Sequence, residues 1–290
     1  MYKMKSTAKS AVITVNWLIV ALLLVPGLRP DCGRAAGDAH YSPVRWFQWK
    51  NPIISARMRD PQIVVVGGTY YLTGSAYPFF PVYGKAPGAV LWQSADLIHW
   101  RRVGVMVKPS KRYWYKNTFW AAEIFPWHGH FYLTVNCPDM NAPGHPQGVC
   151  LACASKITGP YHVMSKRTPL TFGNDGDLFE DSNGKIYCFT AGINAVEVNL
   201  RMGKTIGRPF HVLSVGRSGR WDGSSPGAPA VGFEGPSVYK IGKIYYLFYS
   251  SWGRGYEVGY ATATKYSRAL DKVCPQPNLR SPGTCLVSKL

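Results

Sequence analysis

The chain has 290 residues, 46% of them apolar and 14% aromatic, with 33 Lys and Arg against 15 Asp and Glu and a formal charge of +18 at pH 7. That apolar share excludes a disordered chain, and 30 Gly with 22 Pro argue against a protein of long helices. The cations are scattered and not gathered in one arm or helix, which argues against a nucleic-acid partner and suits an anionic polysaccharide or a solvated basic face.

The N-terminus carries Lys3, Lys5 and Lys9, then a mostly apolar run from Ala11 to Val25, then Pro26-Gly27 and the small residues Gly33, Ala35 and Ala36. The run is shorter than the roughly 20 residues a membrane span needs. The expectation is a signal peptide over 1–36, a secreted or periplasmic protein, and no stable membrane insertion after cleavage. Removing that segment takes away five cations and one acid, which leaves the formal charge at +14. Six of the seven cysteines remain. Cys150, Cys153 and Cys188 lie in apolar runs and are expected to be buried free thiols, whereas Cys274 and Cys285 could close a loop near the C-terminus.

From residue 53 onward one unit recurs: an apolar run, a turn containing Gly, an aromatic run, and a further strand. The clearest copies are Gln62–Ser75, Glu123–Val135, Asp177–Thr190 and Pro236–Ser250. Each reads as a β-hairpin. The turn glycines Gly68, Gly129, Gly184 and Gly242 are 61, 55 and 58 residues apart. A hairpin repeated at that period predicts an array of equivalent sheets of propeller-blade size. The blades are expected over about 55–110, 118–165, 174–215 and 232–264.

An acid stands near the start of each unit: Asp60 in Arg-Asp-Pro, Glu123 after Trp120-Ala-Ala, Asp175 in Asn-Asp-Gly-Asp, and Glu234 in Phe-Glu-Gly-Pro. The four acids are expected at equivalent positions of successive blades, which a propeller converges on its axis. Converged carboxylates suit glycosidic bond cleavage. One must carry a proton for the leaving oxygen, another must be ionised to activate water, and a third negative charge favours retention of the proton.

These motifs resemble glycoside hydrolase family 43. The resemblance rests on Arg59-Asp60-Pro61 with Tyr70-Tyr71-Leu72, Phe119-Trp120-Ala-Ala-Glu123, Asp175-Gly-Asp-Leu-Phe, Glu234-Gly-Pro and Tyr245–Gly253, and it spans about residues 50–264. It implies an all-β, five-bladed β-propeller and an inverting acid/base glycosidase of arabinofuranosidase or xylosidase type, acting on plant-type polysaccharides or oligosaccharides. It further implies Asp60 as general base, Asp175 as the modulator of the acid, and Glu234 as general acid. Glu123 would shape the pocket or contact sugar hydroxyls. Asp177 is the rival for the modulator role, since residues two apart on a strand share a face. Trp46, Phe79, Trp120 and Trp252 stand beside these motifs and are candidates to stack on sugar rings or to pack between blades. His128 and His130 are expected to face solvent. No metal or cofactor is expected.

Four blades are evident within 37–264, and residues 265–290 lose the pattern, with three prolines, two cysteines and no aromatic after Tyr266. The alternative to a working enzyme is therefore a truncated, inactive or non-catalytic carbohydrate-binding propeller. A chain without a fifth blade is expected to fold poorly or lack activity unless its tail or a second copy fills the gap.

Overall fold

The computed structural model describes residues 13–14, 52–79, 87–116, 118–138, 147–213, 233–251 and 257–264. Trp46, Trp252, Cys274, Cys285, the proposed cleavage point and the segment 265–290 lie outside the described residues. Every regular element among the described residues is a strand, and the strands form four antiparallel sheets in chain order.

The first blade contains β2 (Met58–Val66), β3 (Thr69–Ala76), β4 (Ala89–Ser94) and β5 (Arg101–Val107), with a two-residue strand, β1 (Ile13–Thr14), paired to β2. The second contains β6 (Trp120–Trp127), β7 (His130–Pro138) and β8 (Gln147–Ala154), and two short strands, β9 (His162–Val163) and β10 (Thr171–Phe172), both pair with β8. The third contains β11 (Asp177–Glu180), β12 (Ile186–Thr190), β13 (Asn194–Asn199) and β14 (Lys204–His211). The fourth contains β15 (Phe233–Ile241), β16 (Ile244–Ser251) and β17 (Glu257–Ala263). The expected bladed all-β architecture is thus present.

The turn glycines explain the hairpins. Gly68 and Gly129 have φ of +77° and +76°, and the residues before them, Gly67 and His128, are also left-handed at +56° and +47°. Two consecutive left-handed residues make the two-residue turn whose twist matches that of its flanking strands.

Strand alternation then stacks the blades. In β7, Leu133, Val135 and Cys137 pack with Val64 and Leu91 of the first blade, while Tyr132 on the other face packs with Leu178 and Cys188 of the third. In β12, Ile186 and Cys188 face the second blade, and Tyr187 and Phe189 pack with Leu247 and Tyr249 of the fourth. Each central strand is therefore apolar on both faces and reads as an almost continuous hydrophobic run. Cys137, Cys150 and Cys188 are buried free thiols and Cys153 is half-buried. His128 and His130 are exposed.

One expectation needs correction. The four acids are not at equivalent positions. The landmark that repeats is a left-handed residue at the start of each inner strand: Asp60 (φ +52°), Ala121 (+42°), Asp175 (+52°) and Gly235 (+57°). Around it the pairing slips between Arg59 and Gln62 in β2, Trp120 and Glu123 in β6, and Glu234 and Ser237 in β15. Asp60 and Asp175 stand at the landmark, Glu234 one residue before it, and Glu123 and Asp177 two residues after it. A bulge adds a residue and turns the chain, so a shift of one or two positions changes what a side chain meets.

Candidate active site

Left-handed backbone costs an ordinary L-residue about 1–2 kcal/mol and persists where its surroundings fix it. At Asp60 the fixing is visible. Ser75 Oγ donates to Asp60 Oδ2 and accepts from the Ala121 amide at 2.7 Å. The Asp60 carboxylate is thereby tied through one hydroxyl to the landmark of the next blade. A Cβ at Gly74 would come within 2.6 Å of the Arg59 carbonyl oxygen and 2.7 Å of that of Asp60, so only glycine lets β3 pass this bulge. At Asp175 the link is direct, because the Gly235 amide donates to its Oδ2 at 2.9 Å.

These contacts bring the acids into one electrostatic cluster. Asp175 is 8% exposed. Burial, then the neighbouring Glu234, then Asp60 push its carboxyl up to about 7, against the opposing Gly235 hydrogen bond and the Arg59 charge. Asp60 on the first blade, Asp175 on the third and Glu234 on the fourth thus converge. Burial also pushes Glu123 well above the usual carboxylate range, helped by Asp177, Asp175 and Asp60. The Glu123 and Asp177 carboxyls hydrogen-bond to one another, and Asp177 Oδ2 also accepts from the Val238 amide at 3.1 Å. The structure therefore separates the two aspartates that the sequence left as rivals. Asp175 meets Glu234, whereas Asp177 meets Glu123.

One wall beside Asp60 is aromatic. Trp120 donates its indole N–H to the Phe79 carbonyl, and Thr118 donates to that of Pro78 at 3.2 Å. The Arg59 guanidinium lies 4.3 Å from the Phe79 ring centroid, and Tyr77 meets the same ring edge-on. Phe79 and Trp120 are not among the residues of the three cores between blades, and Arg59 joins the Phe79 ring to the residue next to Asp60. Arg59, Ser75 and Gln62 take part in these contacts without being marked as site residues by the sequence. Arg59 was visible beside Asp60, but the other two carry no local signal. Among the described residues no group of three or more His, Cys, Asp or Glu is arranged to hold a metal ion.

The titration of Asp175 has a consequence for stability. Its folded value lies above the ordinary 3.8, so its contribution is fully present below that value and is lost as pH rises to about 7. Asp175→Asn keeps an acceptor for the Gly235 amide and removes the titration. The unfolding temperature of the native protein should therefore fall more steeply than that of the variant between about pH 4 and pH 7. Parallel melting curves across that window would refute the assignment.

The fold is thus that of a β-propeller which gathers carboxylates from several blades near the starts of its inner strands. The sequence model of glycosyl hydrolases family 43 matches residues 49–278, and the chain belongs to that family. It is 30% identical over 219 residues to a non-reducing end α-L-arabinofuranosidase of Bacteroides ovatus, a match covering 72% of this chain and 37% of the relative. It is 29% identical over 226 residues to a xylan 1,3-β-xylosidase of a Vibrio species, covering 70% of this chain and 38% of the relative. The chain thus spans well under half the length of these curated relatives. In structure it is similar to an endo-arabinase from Bacteroides thetaiotaomicron, with a TM-score of 0.57 at 19% identity, covering 75% of this chain and 79% of the other.

Proposed function

We propose that this chain is an inverting glycoside hydrolase acting on pentose-containing polysaccharides or oligosaccharides, of arabinofuranosidase or xylosidase type. The observation that carries the proposal is that Asp60 and Glu234, from the first and fourth blades, both lie within electrostatic reach of the buried Asp175 of the third, which is hydrogen-bonded to the Gly235 amide. Family membership and the activities named for the two curated relatives support the substrate class.

The chemistry follows from the environments. Asp60, exposed at the bulge of β2 and held by Ser75, serves as the base that takes a proton from water. The charge of Glu234 acts on Asp175 and helps to raise its carboxyl. In the reaction Glu234 gives a proton to the glycosidic oxygen as its bond to the anomeric carbon breaks, while the activated water attacks from the opposite face. Inversion needs the acid and base far enough apart to admit that water, about 6.5–9.5 Å. The aromatic wall of Phe79 and Trp120 supplies a face for the sugar ring.

The test is hydrolysis of aryl α-L-arabinofuranoside and aryl β-xyloside by the purified chain, with the first-formed anomer followed by proton NMR. Release of the anomer opposite to that of the substrate is the expected result. Folded protein without turnover on either substrate or their polymers would favour a carbohydrate-binding propeller. Export belongs to the same proposal, motivated by Lys3, Lys5 and Lys9 before the apolar run 11–25. A mature N-terminus near residue 37 checks it.

A further inference from the structure

Two residues beyond the landmark, each of the first three blades carries a side chain that reaches its neighbour. In the first blade this is Gln62. Its Oε1 accepts from the Ile124 amide at 2.5 Å and its Nε2 donates to the Ile124 carbonyl at 3.3 Å. Ile124 is three residues past the landmark of the second blade. In the third blade the same position is Asp177, whose Oδ2 accepts from Val238, three residues past the landmark of the fourth. The clamp is the same at both junctions: a side chain at landmark plus two holds a backbone amide at landmark plus three. Between them stands Glu123, also at landmark plus two, and its partner is the Asp177 carboxyl itself. Its Oε2 is closed to solvent and has no hydrogen-bond partner.

Two carboxyls in that contact need a proton between them, because two buried negative charges in contact repel and the Val238 amide is a donor to Asp177 alone. Among the described residues, the other titratable groups that face the pair are Asp60 on β2, Asp175 before β11, Cys188 on β12 and Tyr239 on β15. Each is acidic or neutral. With one proton retained, Glu123 donates to Asp177, and Asp177 keeps an oxygen for Val238. Val238 lies on β15, the strand that carries Glu234, with Gly235 bonded to Asp175 between them.

We propose that Glu123 and Asp177 are a proton-sharing positioning pair, which joins the second blade to the third and holds β15 through the Val238 amide so that Glu234 stays beside Asp175. The pair acts on the reaction through Glu234 and touches neither water nor sugar. This rests on the function proposed above, and it predicts an effect on kcat more than on KM.

Three variants test it. Glu123→Ala leaves Asp177 without its donor, and a displaced Glu234 should lower kcat roughly tenfold to a hundredfold, with KM within about twofold of the native value. Glu123→Gln places at the second blade the amide that Gln62 provides at the first. It donates to Asp177 without titrating and should recover most of the lost kcat. Asp177→Asn can accept from Val238 and donate to Glu123, and should behave likewise. The second readout needs no turnover. Glu123 is held above its unfolded value, so its contribution is complete below the ordinary carboxylate range and is lost as pH rises through the raised value. The unfolding temperature of the native protein should therefore drop on the alkaline side of that range, and Glu123→Gln should flatten the drop.

An inactive native protein would sink the proposed function, and the melting curves would still decide the pair. A Glu123→Gln variant that melts with the native pH dependence would overturn the proton-sharing pair. So would Glu123→Ala with native kcat. A rise in KM that Gln fails to rescue would make Glu123 a direct sugar contact instead.

Discussion

Replacing Glu234 by Gln should lower kcat for a glycoside with a poor leaving group by roughly 10²–10⁴, and by much less for a nitrophenyl glycoside. The reason is the leaving oxygen. An alkoxide needs a proton as it departs, whereas an activated phenolate can leave with little help. Glutamine keeps the size and polarity of Glu234 at its place one residue before the β15 landmark and removes only the proton. Steady-state rates over a series of aryl leaving groups are the measurement. The variant should show a much steeper dependence on leaving-group acidity than the native protein. An equal dependence in both would remove Glu234 from the acid role.

Asp60→Asn should cost a comparable factor, about 10²–10⁴ in kcat, with a different signature. The base acts on water, so the loss should be similar for good and poor leaving groups. Asparagine is the informative replacement here because it tolerates the left-handed conformation that Asp60 adopts at φ +52°. It also retains an acceptor for the Ser75 hydroxyl. Alanine at 60 would mix loss of charge with backbone strain. Rates measured with both substrate types decide the matter, and native turnover of Asp60→Asn would exclude it as the base. Together the two variants divide the reaction between the first and fourth blades, while Asp175, between them in sequence, is read from its pH dependence.

Much of this protein was legible in the chain. The glycine turns at 68, 129, 184 and 242 fixed the period because a tight hairpin needs left-handed residues there, and few side chains accept that conformation. The apolar runs between them fixed the central strands, which had to be hydrophobic on both faces to pack against two neighbours. Those are local demands on backbone and burial, and one sequence states them plainly. The acids Asp60, Asp175 and Glu234 were also visible, because acids are few and each stands in a distinctive Asp-Pro, Asp-Gly or Glu-Gly-Pro context.

What the chain alone left open is how those acids meet. Alternation along a strand placed Asp175 and Asp177 on one face, yet the left-handed backbone at Asp175 precedes β11 and breaks that alternation. One carboxyl then meets Gly235 and Glu234, the other Glu123 and Val238. Ser75 and Gln62 gained their roles only from contacts with residues 46 and 62 positions away, at Ala121 and Ile124. The raised titrations of Asp175 and Glu123 depend on burial between blades and on acids from other blades. Local backbone chemistry therefore determined the repeat, and the resemblance of the motifs to the family nominated the acids. The bulges and the stacking of one blade on the next decided which acids interact, since desolvation and charge act through space and carry no trace in the order of residues.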